Sequence, residues 1–278
     1  MYVIALQGGG FKGAFQAPIV KALVRARRPD LILGVSVGAI NGVLAAQEDF
    51  AILDRIWSSI DDSTPIDGIK GFMSPAIFRG KALFHLGPLR QKLEKFTSLD
   101  KLVIPFGAGS VARETDEYHT LLSSEMTSND QLWNSVHGSA AIAGLMEPVK
   151  MEYNGQLLTW SDGGHKSSIP MIPHDIEELI THADIIMTSP IASTPKKPEE
   201  VNGLLESIEW AIHLANKHVQ AQGLARYRIL RRRQSATIRV FAPEQGLGGL
   251  LTADQKTLRW RRKLGYKALR NPTVWAPV

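Results

Sequence analysis

The sequence predicts an α/β fold in three layers, an α/β/α sandwich whose mainly parallel central sheet is covered by helices on both faces. Short apolar runs of strand length alternate with longer segments of helical periodicity along the chain. The strand-like runs are almost continuously apolar, as in parallel strands buried on both faces. Glycine-rich turns also follow the first two runs directly, where a strand would pass into a helix.

The N-terminal elements follow this alternation. Tyr2–Leu6 is predicted to be the first strand, and apolar residues at helical spacing over 15–26 predict the helix after it. Leu31–Val35 is predicted to be a second buried strand. Residues 39–47 then form a predicted helix, whose small side chains would let it lie close to the sheet.

The rest of the chain continues the pattern. Further strands are predicted at 102–107, Glu117–Leu122, 157–160, 185–188 and 237–242. Further helices are predicted at 52–60, 88–96, 204–222 and 255–269. Only 68–87 is irregular, because glycines and a proline interrupt its apolar residues. No repeat, linker or break in composition divides the sequence, so residues 1–278 are predicted to form a single domain.

The composition limits the kinds of chemistry. The chain has no cysteine, which excludes disulfides, thiolate metal sites and a cysteine nucleophile. Its first residues lack the basic head and long apolar run of a signal peptide. No stretch approaches the roughly 18 apolar residues that cross a bilayer. We therefore expect a soluble, cytoplasmic protein without a transmembrane segment, at most peripheral to a membrane.

The net charge of +5 is unevenly placed. Six arginines and no acid lie between Arg226 and Arg239, and a second basic group spans 259–263. Such patches attract the phosphates of lipid headgroups or nucleic acids, although a solvated helix face is an equally simple interpretation. No nucleic-acid-binding motif accompanies the arginines. We therefore expect no nucleic-acid partner and consider contact with an anionic membrane surface.

The glycine loop Gly8–Gly13 allows two interpretations. It satisfies G-x-G-x-x-G between a strand and a helix, as in dinucleotide-binding folds. That motif also requires an acidic residue after the second strand, whereas Asp30 precedes it. A non-catalytic nucleotide-binding module is therefore the weaker interpretation. The stronger one is that backbone N–H groups of this loop face a developing negative charge.

Ser36 occupies the centre of G-x-S-x-G, the nucleophile elbow. The sharp turn from strand to helix exposes the serine oxygen, and Gly34 and Gly38 relieve the crowding of that turn. Attack by this serine on an ester creates an oxyanion, which the N–H of Val37 and the glycine loop could stabilise. The two motifs meet at the carboxyl edge of the sheet if their strands are neighbours.

Residues 8–13, 34–38 and the Asp-Gly-Gly sequence at 162–164 resemble, in the same order, the three signature motifs of patatin-like phospholipases. The resemblance implies a patatin-like fold and a Ser–Asp dyad, with Ser36 as nucleophile and Asp162 as base. It assigns the oxyanion and substrate-binding loop to Gly8, Gly9, Gly10, Lys12 and Gly13. It also implies that Gly163 and Gly164 let the turn of Asp162 approach the elbow.

The implied activity is hydrolysis of fatty-acyl esters of phospholipids, lysophospholipids or related glycerolipids through an acyl-enzyme, without metal or cofactor. An acyltransferase using the same dyad is the enzyme alternative. The apolar residues of 72–84 could border an acyl groove or simply belong to the core. Family members commonly have a proline near Ala143, where this chain has none. The sequence leaves the oligomeric state open.

A free aspartate, with a pKa near 4, is a weak base for a serine hydroxyl. Burial of Asp162 would raise its pKa and strengthen its hydrogen bond to the hydroxyl. Histidine is the usual partner of a catalytic serine, and His165, His137 and His119 are the rival bases. None of these histidines lies in a recognisable motif.

Overall fold

A computed structural model of the chain describes residues 1–58, 74–75, 84–192 and 204–276, with side chains at 1–58, 86–192 and 207–276. The strands are β1 (Tyr2–Leu6), β2 (Leu31–Val35), β3 (Ser74–Pro75), β4 (Phe84–His85), β5 (Phe106–Ala112), β6 (Glu117–Leu122), β7 (Val149–Tyr153), β8 (Gln156–Asp162), β9 (His182–Ile186), β10 (Thr237–Phe241) and β11 (Thr273–Trp275). The helices are α1 (Gln16–Ala26), α2 (Val37–Ala46), α3 (Phe50–Ser58), α4 (Gly87–Phe96), α5 (Asn129–Ser139), α6 (Leu204–Gln234) and α7 (Gln255–Ala268). A 3-10 helix, Gly10–Phe15, precedes α1.

The central sheet is mixed and mostly parallel in its middle. Within the described ranges nine strands form it, in the order β11-β10-β9-β1-β2-β5-β8-β7, with β6 also paired to β5. Strands β10, β9, β1, β2 and β5 run parallel. The remaining pairs, at both ends of the sheet, are antiparallel. Strands from the beginning and the end of the chain therefore belong to one sheet.

The side chains of β1 divide between two cores because successive residues of a strand point to opposite faces. Ile4 and Leu6 pack with α1, α2 and α7 on one face. Val3 and Ala5 pack on the other face with the buried residues of α6. Helices thus cover both faces of the sheet, which confirms the predicted three layers.

Two predicted elements differ most from the structure in their bounds. The strand expected at 102–107 begins only at Phe106 and continues to Ala112. Its small residues do not show the apolar run that is typical of a buried strand. The structure requires a small residue there, because a side-chain carbon at Gly109 would lie 2.0 Å from the Tyr118 hydroxyl. The helix expected at 204–222 continues to Gln234, because Leu224, Tyr227 and Leu230 still bury one face of it.

Some expectations lie beyond what the structure describes. Apart from the short strand β3, residues 59–83 are outside the described ranges, and with them most of the apolar segment 72–84. No helix in the described part of the chain is long and apolar enough to cross a membrane. Among the same residues, no group of three or more metal-binding side chains could hold a metal ion.

Candidate active site

Ser36 stands between the end of β2 and the start of α2 with φ 56° and ψ −126°. A non-glycine residue at positive φ is uncommon and marks a backbone held in place by its surroundings. The two flanking glycines permit the turn. A side-chain carbon at Gly34 would lie 2.2 Å from the Gly38 carbonyl oxygen, and one at Gly38 would lie 2.2 Å from that of Leu6.

A buried serine that the sequence analysis missed holds this elbow. The Ser36 N–H donates to the Ser139 hydroxyl oxygen at 2.9 Å. Ser139 in turn donates to the Gly109 carbonyl oxygen at 2.6 Å. The elbow is therefore connected to the end of α5 and to β5.

Asp162 ends β8, opposite Ser110 of β5, and is almost completely buried. Its carboxylate lines the same cavity as Ser36 and accepts the Gly164 N–H at 2.7 Å. Burial raises the pKa of this carboxyl, while His165, the Ser36 hydroxyl and the Gly164 N–H lower it in part. The net direction is upward from the ordinary aspartate value, which makes the carboxylate a stronger base.

The two glycines after Asp162 bring this turn close to its neighbours. A side-chain carbon at Gly163 would lie 2.4 Å from the Gly109 carbonyl oxygen. One at Gly164 would lie 2.8 Å from the Asp162 carboxylate. Both positions therefore have no room for a side chain.

The three histidines lie in different surroundings. His165 lines the cavity of Ser36 and Asp162, and its Nε2 accepts the Ala143 N–H at 3.0 Å. A proline at Ala143 would have no N–H to donate. His119 packs edge-on against Tyr153 and Trp160, whereas His137 lies on α5.

The glycine loop lies directly against the elbow. A side-chain carbon at Gly8 would be 3.2 Å from the Ser36 Cβ. The Gly8 N–H already donates to the Ser168 carbonyl oxygen at 2.9 Å. Gly10 has φ 54°, a left-handed conformation that favours glycine. The N–H groups of Gly9, Gly10 and Val37 have no acceptor among the described residues.

Lys12 and Gly13, the last two residues of the glycine loop, face different neighbours. A side-chain carbon at Gly13 would lie 2.3 Å from Val37, so this glycine lets the 3-10 helix contact α2. Lys12 lines a cavity next to that of Ser36 and Asp162. The structure therefore brings the glycines, Ser36 and Asp162 together, and places Lys12 beside them.

Ser36 lies between two cavities. One, of about 50 Å³, is lined mainly by apolar side chains, including Ile40, Trp57 and Met146. The other, of about 230 Å³, contains the Asp162 carboxylate and is bordered by α6. An apolar space on one side of the serine and a more polar one on the other suits an ester with an acyl chain and a polar alcohol.

A buried network of side-chain hydrogen bonds from α1 and α2 holds the glycine loop in place. The Asn41 side chain donates to the Gly13 carbonyl oxygen at 3.0 Å and accepts the Trp57 ring N–H at 2.8 Å. The Gln16 amide donates to the carbonyl oxygens of Gln7 and Ile186 at 2.8 and 3.0 Å. Sequence analysis missed these residues, because an isolated Asn or Gln in a helix gives no local signal of burial.

Arg261 holds a second loop, residues 247–252, which packs against the glycine loop. Its fully buried guanidinium donates to the carbonyl oxygens of Leu247, Thr252 and Gly249 at 2.9, 2.7 and 2.8 Å. Burial lowers the pKa of this side chain to about 10. The loop it holds includes Leu250, whose carbonyl oxygen accepts the Phe11 N–H at 2.9 Å.

The basic region 226–239 begins close to the site and extends away from it. Arg226 donates to the Ser167 hydroxyl at 3.1 Å, next to Ser168, which lines the cavity of Ser36 and Asp162. Arg232 is roughly 13 residues beyond Val219, which borders the same cavity, or about 20 Å along α6. Arg239 is paired with the buried Asp184 at 2.6 Å. In the second basic group, Arg261 is buried and Arg262 pairs with Asp54 at 3.0 Å. Several of these arginines are therefore paired or buried within the fold and add little to a positive surface.

A serine at a strand-to-helix elbow, at the carboxyl edge of a mostly parallel sheet, is typical of serine hydrolases of the α/β class. The family model of the patatin-like phospholipases matches residues 4–173. The chain belongs to this family, and membership supports lipid acyl hydrolysis in the broad sense, with a lipid as substrate. The matched range includes the glycine loop, Ser36 and Asp162.

Comparison with solved structures finds similarity to VipD from Legionella pneumophila, at 11% sequence identity and a TM-score of 0.41. The alignment covers 99% of this chain and 68% of that chain. Comparison with curated proteins finds no match.

Proposed function

We propose that the chain is a serine hydrolase of fatty-acyl esters of phospholipids, lysophospholipids or related glycerolipids, with Ser36 as nucleophile and Asp162 as base. The observation that carries the proposal is that Ser36 and the buried Asp162 line one cavity, with the Ser36 hydroxyl near enough to lower the pKa of the Asp162 carboxyl. We treat residues 1–278 as one domain, because β1 and β11 belong to the same sheet.

In the first half-reaction, Asp162 accepts the hydroxyl proton as the Ser36 oxygen attacks the acyl carbonyl carbon. The N–H groups of Gly9, Gly10 and Val37 are the proposed donors to the oxyanion, because they have no acceptor among the described residues. Gly8 contributes through its missing side chain, which leaves room beside Ser36. The tetrahedral intermediate collapses, and the departing alcohol takes the proton from Asp162.

In the second half-reaction, Asp162 takes a proton from water as the water oxygen attacks the acyl-enzyme. The fatty acid leaves and the proton returns to Ser36. If an alcohol takes the place of water, the same steps transfer the acyl group, so product analysis separates hydrolase from acyltransferase. The acyl chain would occupy the apolar cavity beside Ser36.

Labelling with a fluorophosphonate tests the proposal, because this reagent phosphonylates an activated serine. We expect Ser36→Ala to abolish labelling and Asp162→Asn to slow it about 100- to 10,000-fold, the usual contribution of a general base. Ser110→Ala is the matched control, since Ser110 is buried opposite Asp162 and its hydroxyl has no hydrogen-bond partner among the described residues. Labelling that persists in Ser36→Ala would overturn the assignment.

A further inference from the structure

The peptide group that joins Gly8 to Gly9 lies between two cavities. Both glycines border the cavity that contains Ser36 and a larger one of about 430 Å³. Thr188 lines the larger cavity and not that of Ser36. The lining of the larger cavity also includes Lys12 and Lys217. Thr188 and Ser36 therefore face this peptide group from different cavities.

Thr188 lies beside Gly8 because β1 and β9 pair in parallel. Leu6 lies opposite Ile186, so the residues two positions further on leave the sheet side by side at its carboxyl edge. The Thr188 hydroxyl donates to the Gly8 carbonyl oxygen at 2.5 Å. The other acceptor nearby, the Gln7 side-chain oxygen, is 3.3 Å from this hydroxyl and already accepts the Thr188 N–H at 2.7 Å. The hydroxyl hydrogen is therefore directed to Gly8.

The missing side chain of Gly9 makes room for this contact. A side-chain carbon at Gly9 would lie 2.3 Å from the Thr188 hydroxyl oxygen. Thr188 is almost completely buried, and Gln7, which accepts its N–H, donates in turn to the Gln220 side chain of α6 at 3.2 Å. Gly8 is thus hydrogen-bonded through its carbonyl to a side chain that is itself held in place.

We propose that Thr188 is a positioning residue of the oxyanion loop, whose hydroxyl holds the Gly8 carbonyl and so directs the Gly9 N–H towards the ester oxygen at Ser36. The carbonyl and the N–H of a planar trans peptide point in opposite directions. A carbonyl held on the side of Thr188 therefore leaves the N–H on the other side. An oxyanion donor is effective when it is oriented before the charge develops.

The inference rests on the proposed function and adds to it a residue that no motif of the sequence contains. Thr188 lies outside residues 4–173, the range that the family model matches. It touches neither the ester nor Ser36, so it acts only through the orientation of the Gly9 N–H. Its effect should therefore appear in the transition state and not in the binding of substrate.

The test compares Thr188→Ala with Thr188→Ser, two variants that differ only in the hydroxyl. Fluorophosphonate labelling and hydrolysis of p-nitrophenyl butyrate are measured on the full chain. We expect Thr188→Ala to slow labelling and lower kcat about 10- to 100-fold, less than the removal of a donor, with KM nearly unchanged. Thr188→Ser should keep most of the wild-type rate, because its hydroxyl can still donate to Gly8.

An alkyl trifluoromethyl ketone gives a second readout without turnover. The Ser36 oxygen adds to its carbonyl carbon, the hydroxyl proton passes to Asp162, and the carbonyl oxygen becomes a bound oxyanion. The corresponding trifluoromethyl alcohol has no carbonyl and forms no oxyanion. In Thr188→Ala, the Ki of the ketone should rise by the factor by which kcat/KM falls, and the Ki of the alcohol should not change.

Thr120→Ala is the matched control, since the Thr120 hydroxyl also donates to a backbone carbonyl, that of Met171, at 2.8 Å. This variant should label at the wild-type rate. The inference is overturned if Thr188→Ala labels like wild type. An equal loss in Thr188→Ser or in Thr120→Ala also overturns it, because the hydroxyl on Gly8 is then not the cause. Labelling that persists in Ser36→Ala contradicts the proposed function instead, whatever the Thr188 variants show.

Discussion

The backbone N–H of Ser36 donates to the hydroxyl of Ser139 at 2.9 Å, and that hydroxyl donates to the carbonyl oxygen of Gly109. One buried side chain thus satisfies two main-chain groups, one at the elbow after β2 and one in β5. The contact holds Ser36 at its positive φ and occupies its N–H, so the next N–H in the chain, that of Val37, is the donor that we propose from the elbow itself.

Ser139→Ala should destabilise the elbow. The change leaves a buried N–H and a buried carbonyl without their partner, which costs about 1–3 kcal/mol. We expect the free energy of unfolding to fall by that amount and fluorophosphonate labelling to slow about tenfold, because Ser36 is less well fixed. Urea denaturation and labelling kinetics measure the two effects.

The control for this change is Ser135→Ala. Ser135 is also buried in α5, but its hydroxyl donates only to the Leu132 carbonyl of the same helix. We expect a change of less than about 0.5 kcal/mol and an unaltered labelling rate. If both serine variants behave alike, the contact of Ser139 with Ser36 does not support the elbow.

The raised pKa of Asp162 makes activity and stability change with pH in opposite directions. The carboxylate must be ionised to accept a proton, so the labelling rate should fall as the pH is lowered through a pKa above the ordinary aspartate value near 4. The folded state binds this proton more tightly than the unfolded state. Wild-type stability should therefore decrease as the pH rises from the unfolded to the folded pKa.

Asp162→Asn removes this dependence, because the amide has no charge to bury while its oxygen can still accept the Gly164 N–H. We expect the variant to be more stable than wild type above the folded pKa, by about 1.4 kcal/mol for each unit of the upward shift. The difference should narrow as the pH falls towards 4. Chemical denaturation at several pH values measures it, and a variant less stable than wild type at neutral pH would contradict the raised pKa.

Gly10→Ala should reduce labelling about 100-fold, the usual cost of losing one oxyanion donor. The new side-chain carbon would lie 2.5 Å from the Leu250 carbonyl oxygen, at a residue with φ 54°. The loop must then move, and the Gly9 and Gly10 N–H groups with it. Labelling kinetics on folded protein, checked by circular dichroism, measure the effect.

Gly155→Ala is the control for Gly10→Ala, because it strains the backbone at a positive φ without displacing the glycine loop. Gly155 has φ 75° in the hairpin between β7 and β8, with open space where a side chain would lie. We expect a loss of about 1 kcal/mol in stability and no change in labelling. Equal loss of labelling in both glycine variants would mean that global destabilisation, not loop position, explains the result.

Local patterns were sufficient to predict β1 and β2, two strands of the parallel centre of the sheet. The apolar runs of β1 and β2, each followed by glycines and then a helix, required no knowledge of distant contacts. The bounds of β5 were predicted wrongly because Gly109 is required by the position of Tyr118 on the neighbouring strand. A contact between strands leaves no pattern within the segment itself. The part of α6 beyond residue 222 was not predicted, because the arginines there obscure the helical spacing of its buried apolar residues.

The sequence by itself determined the fold class, the elbow around Ser36 and the motifs that contain Gly8–Gly13 and Asp162, because turns, glycines and periodicity act over a few residues. Only the tertiary structure decided that Asp162 and Ser36 line one cavity, that Ser139 and Arg261 hold the site, and that Lys12 and Lys217 line another. These contacts join residues far apart in the chain. Their strength comes from burial, which no short stretch of sequence encodes.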